Sequence, residues 1–147
     1  MALWQVEFMI IPKDRLSYEN NIGEIDIPSL WIGYQIKENS INEVEKVLKR
    51  SKSWSEDIVQ LGDVSETVIE LFYDGDMIEE ITCRLDLRNI NIKTVDIILS
   101  FINTNNLAII VDKKIYTDIN RQLVVDLIKE SDAYRFLNNP EKFLDEI

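Results

Sequence analysis

Apolar residues fall along this chain in two kinds of short run, one alternating and one helix-spaced, divided by polar stretches. From Leu3 to Ile11, Trp4, Val6 and Phe8 alternate with Gln5 and Glu7, which predicts a first strand that Pro12 stops because proline lacks the ladder N–H. Residues 13–28 are polar and irregular, with Asn20, Asn21 and Gly23 as turn residues, and predict the longest loop. Ser29 to Lys37 carries Trp31, Ile32, Tyr34 and Ile36 and is read as a strand, although its length does not separate strand from helix by period. Ser40-Ile41-Asn42-Glu43 has capping-box form, and Ile41, Val44, Val47 and Leu48 continue as one helical stripe with Lys46, Lys49 and Arg50 towards its end. Ser53-Trp54-Ser55-Glu56 repeats that capping signal and predicts a short helical turn ending near Gly62.

Thr67 to Tyr73 and Met77 to Arg88, joined through Asp74-Gly75-Asp76, predict a β-hairpin. A loop of Asp74-Gly75 would set Glu70 opposite Glu79, a destabilising like-charge pair. Counting Asp76 into the loop still sets Glu70 opposite Glu80. It also aligns Ile69, Leu71 and Tyr73 with Met77, Ile81, Cys83, Leu85 and Leu87, and Glu66 with Arg84, so its cleaner apolar face makes it the expected register. Val95, Ile98, Leu99 and Ile102 are helix-spaced and end at the asparagine-rich stretch Asn103 to Asn106. Leu107 to Val111 is a continuous apolar run of buried-strand length. Thr117 is read as the cap of a helix carrying Ile119, Leu123, Val124, Leu127 and Ile128, and Ser131-Asp132 opens a further turn with Tyr134, Phe136 and Leu137. Asn139-Pro140 leads into a last helix with Phe143, Leu144 and Ile147. The pattern predicts an α+β fold, a mainly antiparallel sheet with helices, notably 93–104 and 117–130, packed on one face.

The 147 residues are 46% hydrophobic, enough for one core, so a single domain over 1–147 is expected without disulfide or metal. Charge changes the picture more. With 16 Lys plus Arg against 27 Asp plus Glu, the net charge is −11, which disfavours nucleic acid and anionic membranes as partners and favours a cationic one. No apolar run reaches the ~20 residues of a bilayer span, and no basic leader precedes the first apolar stretch, so a soluble, cytoplasmic protein is expected. The single cysteine, Cys83, fits a reducing compartment.

The absence of histidine excludes Ser-His-Asp and Cys-His catalysis and leaves zinc dependent on several Cys or carboxylate ligands. The four glycines, at 23, 33, 62 and 75, match no phosphate loop or dinucleotide fingerprint, and no cofactor is expected. Cys83 lies on the apolar side of its strand and reads as an inert buried thiol. Adjacent acids at Glu56-Asp57, Glu79-Glu80 and Asp145-Glu146 are no denser than chance allows, so a carboxylate-based hydrolase is the distant alternative. Asp74-Gly75-Asp76 reads as a turn rather than a cation site. Period-two spacing places Arg84, Asp86 and Arg88 on one strand face, either as a solvated, self-compensated row or as the organiser of an interface or cleft. Trp54 reads first as a core or loop anchor and second as a contact residue. The candidate binding residues are therefore Arg84, Asp86, Arg88, Trp54, Glu56 and Asp57, with Glu19, Glu24 and Asp26 as further acidic contacts.

Three stretches together carry a resemblance: Lys52 to Ser55 (Lys-Ser-Trp-Ser) followed by Gly62, Arg84 to Arg88 (Arg-x-Asp-Leu-Arg), and Ser131 to Leu144 (Ser-x-Ala-x-Arg-Phe, then Pro-x-x-Phe-Leu). Over roughly residues 50–147 the chain resembles a family of small uncharacterised bacterial proteins. Proteins of this general kind are suspected immunity partners of secreted toxins. The resemblance thus implies a non-enzymatic binding role with a protein partner, such as a basic toxin domain, and lends no catalytic residue. A housekeeping interaction or structural module is the alternative of the same general class.

Overall fold

The computed structural model describes residues 1–16 and 25–137. Its strands are β1 (Gln5–Pro12), β2 (Arg50–Ser51), β3 (Ile58–Gly62), β4 (Val68–Asp74), β5 (Met77–Asp86), β6 (Leu107–Val111) and β7 (Lys114–Tyr116). They form one sheet in the order β2-β3-β4-β5-β1-β6-β7, with every neighbouring pair antiparallel. The helices are α1 (Ile27–Leu30), α2 (Glu38–Glu45), α3 (Ile92–Thr104), α4 (Arg121–Glu130) and α5 (Asp132–Phe136). The fold is α+β, as the pattern predicts. No helix among the described residues is long and apolar enough to cross a membrane.

The core forms where two periodicities meet. On β1 and β5 the pairs Val6↔Leu85, Phe8↔Cys83 and Ile10↔Ile81 put six buried side chains on one sheet face. The stripes of α2 (Ile41, Val44), α3 (Val95, Ile98, Ile102) and α4 (Val124, Leu127, Ile128) join that face in one cluster. Each fully buried aliphatic or Phe side chain there contributes about 1.5–3 kcal/mol. Cys83 sits in this layer with no exposed surface. On the opposite face Ile11 and Ala108 pair across β1 and β6 and pack with Leu30 of α1 in a second, smaller cluster.

Several sequence expectations are corrected. β1 runs through Pro12, opposite Leu107, because pairing with β5 has already ended at Ile10 and the missing N–H costs no ladder bond. Ser29 to Lys37 is not a strand: Pro28 preorganises the single turn of α1, and the coil beyond it buries Trp31 edge-on to Tyr34, with centroids 5.7 Å apart. Ser40 does not cap α2, which starts at Glu38; its hydroxyl instead donates to the Lys37 carbonyl and accepts from Asn105 Nδ2. The helical turn expected before Gly62 is β3, since Ile58 to Gly62 pairs along its whole length with Val68 to Phe72 of β4. The last strand, β7, was not anticipated, and α4 is capped by Asn120 rather than Thr117.

The hairpin is present but in neither anticipated register. Asp74 pairs with Met77, leaving Gly75 and Asp76 as the loop, and a bulge between Phe72 and Tyr73 shifts the ladder so that Glu70 faces Thr82 and Val68 faces Arg84. The loop position and the bulge together take Glu70 out of direct cross-strand pairing with Glu79 and Glu80, leaving Glu80 a diagonal neighbour, and Ile78, rather than Met77, turns into the core. The expectations for α3, for β6 and for Ser131 as the cap of α5 hold, and Asn106 takes the left-handed φ of 53° just beyond α3. The helix expected after Asn139 lies outside the described residues.

Candidate functional site

Arg84, Asp86 and Arg88 do not act as one row. β5 ends at Asp86, and Arg88 curls back from the following turn so that its Nε and Nη2 donate to the two oxygens of Asp86 at 3.0 and 2.9 Å. The Arg88 backbone N–H adds a third bond at 2.9 Å to a carboxylate that is 3% exposed. The guanidinium stacks on Trp4, 3.9 Å from the ring centroid, and donates to the Ser65 carbonyl, which Trp4 Nε1 also reaches. Gln5 Nε2 donates to the carbonyls of Val64 and Glu66. These bonds pin the loop between β3 and β4 to the start of β1, so Asp86 and Arg88 form a scaffold clamp. Arg84 turns away from Asp86 to Glu70, 3.2 Å distant and 2% exposed. Glu80, on the same strand face, is half-buried, and its carboxyl is held above the usual range first by desolvation and then by Glu7, Glu70 and Glu79.

Trp54 is 80% exposed, so the reading of it as a core anchor is corrected. Burial of that position would need an element over the loop between β2 and β3, and no described element covers it there. Ser55 Oγ accepts from the Asp57 N–H and the Tyr73 N–H donates to the Asp57 carbonyl at 2.8 Å, which ties the loop holding Trp54, Glu56 and Asp57 to the tip of the β4–β5 hairpin. The Asp86 clamp meets the chain just before β4, at Thr67, whose hydroxyl accepts from the Asp86 N–H. Thr67 and Tyr73 are six strand residues apart, or roughly 20 Å. The candidate residues are therefore divided between opposite ends of the sheet.

What the fold does bring together is an acidic end. A hollow of about 240 Å³ lies between Asp26 and Ile32 on one side and Asp74, Met77 and Glu79 on the other. With the adjoining Trp54 loop, segments 26–32, 54–57 and 74–79 carry six carboxylates (Asp26, Glu56, Asp57, Asp74, Asp76, Glu79) and no Lys or Arg. Ile32, Trp54 and Met77 are the exposed large apolar side chains among them. Basic groups stand outside these segments: Lys52 precedes Trp54, and Arg15 donates to the Ile32 carbonyl at 2.7 Å. Glu19 and Glu24 lie outside the described residues. Sequence reasoning kept Asp74, Asp76, Met77 and Glu79 out of the candidate set because the two aspartates read as a turn, Glu79 as half of a chance acidic pair and Met77 as part of the apolar row.

At the opposite end a cleft of about 450 Å³ opens between residues 47–51, 62–67 and 86–94, and Asp63, Glu66 and Asp86 line it. Acid–base catalysis by paired carboxyls requires one to be kept protonated. Here Asp63 is held below its usual range by the Ser65 hydroxyl and N–H. Burial, with a smaller effect of Glu7, drives the Cys83 thiol far up, away from nucleophile chemistry. Among the described residues no group of three or more Cys, Asp or Glu is placed to hold a metal ion. No protein-family model, curated protein or solved structure matches this chain.

Proposed function

We propose that this is a non-enzymatic, cytoplasmic binding protein that neutralises a basic protein by occlusion, most concretely an immunity protein set against a toxin domain. The observation that carries the reading is the acidic end, where three chain segments that themselves contain no lysine or arginine bring six carboxylates and an 80% exposed Trp54 to one end of the sheet, with Arg15 and Lys52 at its margin. Exposed tryptophan is a frequent energetic anchor of interfaces, where truncation costs about 2 kcal/mol or more. Carboxylates around such an anchor steer a cationic partner and select against acidic ones. The net charge of −11 extends that steering field over the molecule. In this reading Trp54, Glu56 and Asp57 make contact, while Arg84, Asp86 and Arg88 hold the scaffold.

The test is association with the purified product of a neighbouring toxin-like reading frame, with rates measured at about 50 and about 500 mM salt, where the screening length falls from over 10 Å to a few Å. The rate should drop at least about tenfold with salt. Trp54→Ala should speed dissociation about thirtyfold, and Glu56→Lys should slow association. A rate indifferent to salt, a partner as acidic as this chain, or wild-type kinetics in both variants overturns the proposal.

A further inference from the structure

The cleft at the other end of the sheet has walls of opposite charge that leave each other unsatisfied. Lys49 makes no ion pair with a described residue, and neither does Glu66; Asp63 is bonded only within its own turn, to Ser65. Asp86 is already neutralised by Arg88. The first turn of the thirteen-residue α3 supplies Asn91 and Thr94 to the lining. Thr94 is 7% exposed, and its hydroxyl, which solvent in the cleft reaches, makes no hydrogen bond to any described residue. An unpartnered hydroxyl open to the cleft at the positive end of a helix, with the unpaired Lys49 on the same lining, suits a carboxylate. Asp63 and Glu66, unpaired on the facing loop, suit an ammonium. A ligand of one sign would gain at one wall and meet like charge at the other, whereas a dipolar one gains at both. The volume, about 450 Å³, lies in the range of small-molecule sites.

We propose that this cleft binds a small amino carboxylate, such as a free amino acid, with its carboxylate at Thr94, Asn91 and Lys49 and its ammonium at Asp63 and Glu66. The site is independent of the acidic end and of its protein partner. The experiment titrates the full chain with the common amino acids and with 4-aminobutyrate to about 10 mM, following backbone amide shifts, with acetate and methylamine as single-charge probes. At least one amino carboxylate should saturate shifts at residues 49, 66 and 94 and bind at least about tenfold tighter than either single-charge probe. Thr94→Val and the surface change Glu66→Gln should each weaken binding about fivefold or more, and Glu66→Gln should leave the melting temperature unchanged. No saturation by any amino carboxylate, acetate or methylamine binding as tightly, or full affinity in Glu66→Gln overturns the assignment.

Discussion

Glu80 shows how one residue records its surroundings. Desolvation, then Glu7, Glu70 and Glu79, raise its carboxyl above the usual range, so the folded state holds the proton better than the unfolded chain does. The sign of the linkage follows. Above the raised value ionised Glu80 destabilises the fold, and that penalty is relieved as pH falls through the raised value towards the ordinary carboxylate range. Glu80→Gln should therefore raise the melting temperature at pH 7 and lose that advantage as the pH approaches 4. An equal gain at both pH values would assign the effect to packing instead. Cys83 records the opposite extreme, a thiol with no exposed surface. Native-state labelling should run at least about a thousandfold slower than in denaturant, since it requires opening of the central strands. The burial of Cys83 was legible from the alternation around it, whereas the company of Glu80 depended on a register that the strand pattern alone left open.

At the scale of elements, turns set the geometry. Gly62 closes β3 with φ +101°, and a Cβ there would stand 2.3 Å from the Thr67 carbonyl oxygen, which is backbone and cannot swing aside. Gly75, in the hairpin loop at φ +60°, has nothing within 4 Å of the same position. Gly62→Ala should thus cost at least about 2 kcal/mol and Gly75→Ala about 1 kcal/mol, read as urea midpoints at unchanged m-value. Asp112 and Lys113 turn β6 into β7 with φ of 47° and 65°, strained for side chains with a Cβ. Replacing the pair by Asn-Gly should stabilise the protein by about 0.5–1 kcal/mol. That hairpin escaped the sequence reading because its turn lacks the Asn or Gly that announces one.

Across the whole molecule, charge outweighs any single pair. Among the described residues six ion pairs engage only six carboxylates, and the chain holds 27 acids against 16 bases, so the fold carries its own repulsion. The melting temperature should rise between about 20 and about 300 mM sodium chloride, as the screening length contracts to below 10 Å. A flat profile would mean that the acids are too widely spread to repel. Charge also separates the two ends of the sheet: one presents acids around exposed apolar groups, and the other encloses both signs in a cleft.

Local period and composition determined a large part of this protein. The β4–β5 hairpin, the stripe of α3, the apolar run of β6, the Ser131 cap, the buried Cys83 and the acidic excess all rest on residues within a few positions of one another. Contacts between distant segments decided the rest. Ser40 left its expected capping role for Asn105, 65 residues away, and Ser53 to Gly62 became an edge loop and strand because β4 offered pairing. Trp31 was buried and Trp54 exposed although both stand in short mixed runs, because burial depends on whether another element covers the site. The same dependence split Arg84 from Asp86 and Arg88 and drew residues 26–32, 54–57 and 74–79 to one end. A periodicity states which face of an element is apolar; which partner meets that face is fixed only when the chain has closed on itself.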